Sequence, residues 1–164
     1  MALLHAMVEN DYAPIAAHYN HQLRDESDLE AEFVKNYCLN AGVPFRDGSG
    51  DVRGYAEENS LSIEEAGRIL RYQFLFDVAV KEGAGAVAVA HHADDQIETV
   101  MMNLLRGAGT RGLSGMKAIS VPNPWSDDIP VIRPFLEVDK VDLIAYHSEN
   151  QFPVIVDGSN EDQT

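Results

Sequence analysis

Asp95 and Glu98 are the residues of this sequence whose types and spacing most directly suggest chemistry. Three positions apart, they are neighbours on the surface of a helix. Two such carboxylates repel each other unless a cation lies between them, so the pair predicts a Mg²⁺ ion or an ammonium group as ligand. The alternative is a solvated first turn, because acidic side chains favour helix N-termini whatever their function. Donors converge on the same place. His91 and His92 lead into the helix, and the run Arg106-Gly107-Ala108-Gly109-Thr110-Arg111-Gly112 leaves it, offering a guanidinium and bare backbone amides to an anion. Glycines also terminate helices, so the loop alone is weak evidence. A metallohydrolase using His91, His92, Asp94 and Asp95, with His18 and His21 as a third region of ligands, is a competing reading. Adjacent histidines point in different directions, which weighs against it.

These residues need a strand and a helix to position them. Ala86-Val87-Ala88-Val89-Ala90 is a short apolar run with the character of a buried parallel strand. Ile97, Val100, Met101, Leu104 and Leu105 then repeat as the apolar stripe of a helix, with Asp94 placed to cap it. The acidic pair thus falls just beyond the carboxyl end of a strand, where open parallel sheets bind their ligands.

The rest of the chain alternates in the same way. Ala2 to Val8 is helix-forming. Pro14 to Asn20 reads as a strand, ending in a polar cluster of His18, Asn20, His21 and Arg24. Ser27 to Ala41 is a helix with Leu29, Phe33, Val34, Tyr37 and Cys38 on its buried face, stopped by Gly42. Val43-Pro44-Phe45 starts a strand, Gly48 to Gly54 reads as a mobile loop, and Ser62 with Glu65 forms a capping box for a helix to Glu82. Ile69, Leu70, Phe74 and Val78 are its expected core positions. Strands are expected within Lys117 to Val121, at Val131 to Phe135, where Pro134 implies an edge or an end, and at Val154 to Val156; Asp139 caps a last helix. The prediction is one α/β domain, a parallel sheet with helices on both faces.

Composition bounds the function. The 164 residues are 45% hydrophobic, enough for a single core. With 27 acidic and 12 basic side chains the net charge is −15, which argues against tight nonspecific binding of nucleic acid by this stretch alone. Cys38 is the one cysteine and reads as a buried structural thiol. No apolar run approaches the roughly 20 residues that span a bilayer, and no basic segment opens the chain, so a cytoplasmic protein with no membrane partner is expected.

The string His91-His92-Ala93-Asp94-Asp95-Gln96-Ile97-Glu98-Thr99, with Asn103-Leu104-Leu105-Arg106-Gly107-Ala108-Gly109 and Gly112-Leu113, resembles the signature of bacterial tRNA(Ile)-lysidine synthases, which are PP-loop ATP pyrophosphatases. His18 to Ser27, Arg71-Tyr72, Arg133-Pro134-Phe135 and Asp157-Gly158-Ser159-Asn160 fall in the family's order and approximate spacing, so the likeness covers nearly the whole chain. The resemblance implies a two-step reaction on tRNA(Ile) with a CAU anticodon. ATP adenylates the C2 oxygen of the wobble cytidine with loss of pyrophosphate, and the ε-amine of free lysine then displaces AMP to give lysidine. It also implies roles. Asp95 and Glu98 would contact the lysine amine or Mg²⁺, and His91 and Arg71 would lie near the reacting groups. His18, His21, Arg106, Gly107 and Gly109 would bind ATP, and Asp157 and Asn160 would bind substrate. Other PP-loop tRNA-modifying ligases are alternatives, although sulfur-transfer members generally use paired cysteines. A homodimer is one assembly open to the family.

One departure is marked. The family's phosphate loop, Ser-Gly-Gly-x-Asp-Ser, follows its first strand, and neither is found here; Met1-Ala2-Leu3-Leu4-His5 resembles what comes after that loop. The expectation is therefore a partial catalytic domain, residues 1–164, without its first strand, its phosphate loop or the C-terminal tRNA-binding domains, and inactive alone.

Overall fold

The structure, a computed structural model, describes residues 1–23, 27–107, 109 and 114–152. Its elements run α1 (Ala2–Glu9), β1 (Ala16–Asn20), α2 (Ser27–Asn40), β2 (Phe45–Ser49), α3 (Val52–Asn59), α4 (Ile63–Glu82), β3 (Val87–Ala88), α5 (Ala93–Leu105), β4 (Ile119–Ser120), β5 (Val131–Ile132) and α6 (Lys140–Glu149). The α/β alternation expected from the sequence is present. The expected strand at Val154 to Val156 lies outside the described residues.

The strands form two sheets rather than one. β1 and β2 pair in parallel, and β3, β5 and β4 form a second sheet in that order, β3 parallel and β4 antiparallel to β5. Val131–Ile132 is therefore the middle strand of its sheet, and Pro134 lies just past its end, where a missing N–H costs no ladder bond. Among the described residues no pairing joins β1 to β3, yet α4 packs against both. That helix is the common backing of the two sheets.

The expected core face of α4 is rotated. Ala66, Gly67, Tyr72, Phe76 and Ala79 are buried, whereas Ile69, Leu70, Phe74 and Val78 are half-buried. Tyr72, Phe76 and Ala79 pack with Val87 of β3 and Val131 of β5, while Ala66 packs with Val52 and Ala56 of α3. Two neighbours on different sides draw one helix into two small cores, so no single stripe describes its burial. Tyr72 is fully buried and stacks on Trp125, ring centroids 4.1 Å apart and planes at 12°. Its hydroxyl has no hydrogen-bond partner among the described residues. An unsatisfied buried hydroxyl is costly, so Tyr72→Phe is expected to leave the melting temperature unchanged or raise it, while Tyr72→Ala loses about 3–5 kcal/mol; thermal unfolding of both variants checks this.

Three local expectations need correction. Gly48 to Gly54 is not a loop throughout: Asp51 Oδ1 accepts the Gly54 N–H at 2.9 Å and caps α3. Leu29 of α2 is exposed, although Cys38 is fully buried as expected. The apolar stripe of α5 does not face a core. Ile97, Met101, Leu104 and Leu105 are 57–80% exposed, and no residue of α5 is buried. The periodicity located the helix correctly, but among the described residues nothing covers that face.

Candidate functional site

The ends of β1 and β3 and the first half of α4 surround a cavity of about 850 Å³. His21 follows β1, His91 follows β3, and Gly67, Arg68 and Arg71 rise from α4. α5 closes the other side with Asp95, Glu98, Thr99, Met102 and Arg106. These α5 positions recur at three- and four-residue steps, so one helix face lines the cavity while the apolar stripe looks the opposite way.

Local structure sets each side chain. Asp94 is not the cap of α5; the helix starts at Ala93 with His92 as its N-cap. Asp95 Oδ2 accepts the His92 N–H at 2.8 Å, which satisfies one of the free donors at the helix start and fixes the carboxylate. His92 Nε2 lies 3.6 Å from the same oxygen. Asp95 Oδ1 and the Glu98 carboxylate have no protein partner among the described residues, so three oxygens remain for a ligand. On the facing wall, Gly67 lets the His21 ring lie directly on α4: a Cβ there would come within 2.9 Å of Nδ1.

The cavity wall carries both signs of charge, three guanidiniums and the carboxylates of Glu64, Asp95 and Glu98. Arg68, Arg71 and Arg106 all line it, and among the described residues none forms an ion pair. Arg68 and Arg71 instead lie near the Tyr72 ring, 5.7 and 5.6 Å from its centroid. Behind His91, Arg133 is buried; Nη1 donates to Lys117 O at 2.8 Å and Ser120 Oγ at 3.1 Å, while Nε has no partner among the described residues. Burial pushes the His91 imidazole below its ordinary pKa of 6.5, followed by the charge of Arg133; Asp95 pulls the other way, and Arg68 and Arg71 add weaker depressions. His21 is lowered by burial, then by Arg71 and His18. Both rings are thus neutral near pH 7. In both, the folded pKa lies below the unfolded one, so the unfolded chain binds protons first. Stability is fully present above about pH 6.5 and falls as the pH drops from there toward the folded pKa values. Imidazole titration by NMR should give midpoints below 6.5 for both rings, and His91→Gln should flatten part of the acid-side loss of stability.

The expected site residues assemble unevenly. Asp95, Glu98, His91, Arg71, His21 and Arg106 share the cavity. His18 lies within β1 and reaches the site through its charge on His21 rather than as a wall residue. Gly107 and Gly109 are exposed beyond α5 and do not line the cavity; Gly107 takes φ +72°, the left-handed turn that ends the helix. Asp157 and Asn160, and Ala108, Thr110, Arg111 and Gly112 of the glycine run, lie outside the described residues. Arg68 belongs to the wall and escaped the sequence reading, although it stands one helical turn from Arg71; Asn103, part of the family string but given no role there, lines the wall too. The metallohydrolase cluster is not formed: among the described residues no three His, Cys, Asp or Glu side chains are disposed to hold a metal.

A family model described as the PP-loop domain matches residues 1–164. The chain belongs to the PP-loop family. A tRNA(Ile)-lysidine synthase of Porphyromonas gingivalis strain W83 is 39% identical over 163 residues, covering 99% of the chain and 34% of that protein. The tRNA(Ile)-lysidine synthase of Parabacteroides distasonis is 40% identical over 161 residues, 98% and 35% of the two proteins. A bifunctional protein TilS/HprT of Listeria monocytogenes strain F2365 is 36% identical over 167 residues, 99% of the chain and 25% of that protein. The PP-loop chain therefore spans about a quarter to a third of the length of these relatives. Among solved structures, the U34-tRNA thiolase NcsA of Methanococcus maripaludis with its [4Fe-4S] cluster superposes with a TM-score of 0.75 at 16% identity, over 94% of this chain and 54% of that one. At that identity the likeness is one of fold. No helix among the described residues is long and apolar enough to cross a membrane.

Proposed function

We propose that this PP-loop chain is the core of an ATP-dependent tRNA(Ile)-lysidine synthase, in which free lysine is joined to the wobble cytidine of a tRNA with a CAU anticodon. The observation that carries the proposal is the pairing, in one cavity, of the Asp95–Glu98 face of α5 with the guanidiniums of Arg68, Arg71 and Arg106, which form no ion pair among the described residues. Anions and a cation can bind side by side there, as a nucleotide and a lysine ammonium require. The lysidine synthases of P. gingivalis and P. distasonis, similar over the whole chain, support the choice of reaction.

In this reading the arginines neutralise the triphosphate as the C2 oxygen of cytidine attacks the α-phosphorus and pyrophosphate leaves. Asp95 and Glu98 bind the lysine ε-ammonium, accept its proton, and aim the free amine at C2, from which AMP departs. His91, neutral because of its burial and its arginine neighbours, donates or accepts a hydrogen bond at the α-phosphate or base without adding charge. Mg²⁺, held by one or two carboxylates together with substrate phosphates, would offset charge on the leaving pyrophosphate; Asp95 Oδ1 and Glu98 suit it. A sulfur-transfer reaction is less well supplied within these residues. Cys38 is the sole thiol, fully buried, and burial pushes its pKa up, away from the reactive thiolate.

The test uses a chimaera in which residues 1–164 replace the matching segment of the P. gingivalis enzyme, supplying whatever precedes and follows it there. Incubated with ATP, lysine and the tRNA, the chimaera is expected to form lysidine and release AMP. The 164-residue chain alone is expected to release little or none. A chimaera that folds, binds ATP and makes no lysidine would count against the proposal.

A further inference from the structure

We propose that Gln96 is a positioning residue, which fixes α5 over the cavity by pairing its side-chain amide with both backbone polar groups of Met116. Gln96 Nε2 donates to Met116 O at 2.9 Å, and Met116 N–H donates to Gln96 Oε1 at 2.7 Å. Only one orientation of the amide satisfies both bonds, and two bonds to one residue fix rotation as well as distance.

α5 needs such a tie because it lacks the usual one. None of its residues is buried, and its apolar stripe faces outward. Helices in proteins are held chiefly by packing of an apolar face, and here that face packs against nothing among the described residues. Its first turn is anchored where Ala93 N–H donates to Val138 O at 3.0 Å, on the segment leading to α6. That bond holds only the start of the helix. Gln96 adds a second anchor, on the far side of the glycine-rich stretch, at a residue that itself lines the cavity. Asp95 and Glu98 flank Gln96 in sequence, so the tie acts where the carboxylates need to be placed.

Gly115 belongs to the same device. It adopts φ +65°, a conformation side chains disfavour, and a Cβ there would lie 2.7 Å from Gln96 Oε1 and 2.8 Å from its Cδ. The glycine clears the space in which the amide reaches Met116.

The catalytic consequence rests on the function proposed above; the tie itself does not. Two variants separate them. Gln96→Leu keeps the bulk of a half-buried side chain and removes both bonds, and Gly115→Ala leaves Gln96 intact but crowds it. In the 164-residue chain, hydrogen exchange at the Met116 amide is expected to accelerate by about tenfold or more in each variant. The double variant is expected to exchange no faster than the faster single one, because both lesions break one interaction. In the chimaera each variant should lower kcat about tenfold or more and leave the KM for ATP within about twofold, a split that general loss of stability would not produce. Unchanged Met116 exchange in Gln96→Leu, or lost protection with kcat intact, overturns the proposal. A wild-type chimaera that binds ATP yet makes no lysidine would sink the assigned reaction instead, and the exchange result would still decide whether Gln96 holds α5.

Discussion

Asp95→Asn and Glu98→Gln should each lower lysidine formation by the chimaera by at least about a hundredfold. Both replacements keep shape and remove charge. In Asp95→Asn the new amide oxygen would still be available to the His92 N–H that Asp95 now accepts at 2.8 Å, so the start of α5 survives and the loss is chemical. What disappears is the negative charge that holds an ammonium and takes its proton, together with the oxygens best suited to Mg²⁺. The effect belongs to the second half-reaction if the pair serves the lysine and to the first if it serves the metal. Pyrophosphate release without lysidine marks the former; loss of both marks the latter. Helical content by circular dichroism should match the parent in either case, and near-normal turnover would remove the two residues from the site.

Arg71→Ala should reduce kcat/KM for ATP by about a hundredfold, with Arg71→Lys recovering only part. Arg71 lines the cavity, forms no ion pair among the described residues, and adds to the positive field that depresses His21 and His91. A guanidinium spans two phosphate oxygens with a rigid fork, which an ammonium cannot copy. The same substitution should raise the titration midpoint of His21, for which Arg71 is the largest charged influence. Linked movement of the two readouts is what an electrostatic role requires; a kinetic loss with an unmoved His21 would point to altered packing around Tyr72 instead.

Legibility from sequence differs from residue to residue. The order of strands and helices was legible because β3 and α5 have distinct apolar periods and because Ser62 and Asp139 stand at helix starts. The convergence of His91, Asp95, Glu98, Arg71 and His21 was legible through the family string and the strand-end rule. Other features were not. Periodicity finds an amphipathic helix but not what meets its apolar side, so the outward stripe of α5 reads as core. The burial of α4 is set by two separate partners, α3 and the β3–β5 sheet, and no one-dimensional pattern encodes two neighbours. Arg68 carried no motif; the helix sets it beside Arg71, but which face of α4 lines the cavity is a matter of tertiary packing. The tie from Gln96 to Met116 spans 20 residues and joins a side chain to backbone, which no residue-type pattern anticipates.

The most direct test of the central claim is nucleoside mass spectrometry of tRNA(Ile) bearing a CAU anticodon after incubation with the chimaera, ATP and isotopically labelled free lysine. The expected result is a wobble cytidine converted to lysidine carrying the label, with AMP and pyrophosphate released in equal amounts. Unmodified cytidine in the presence of a folded, ATP-binding chimaera, or a modified nucleoside without the lysine label, would contradict it.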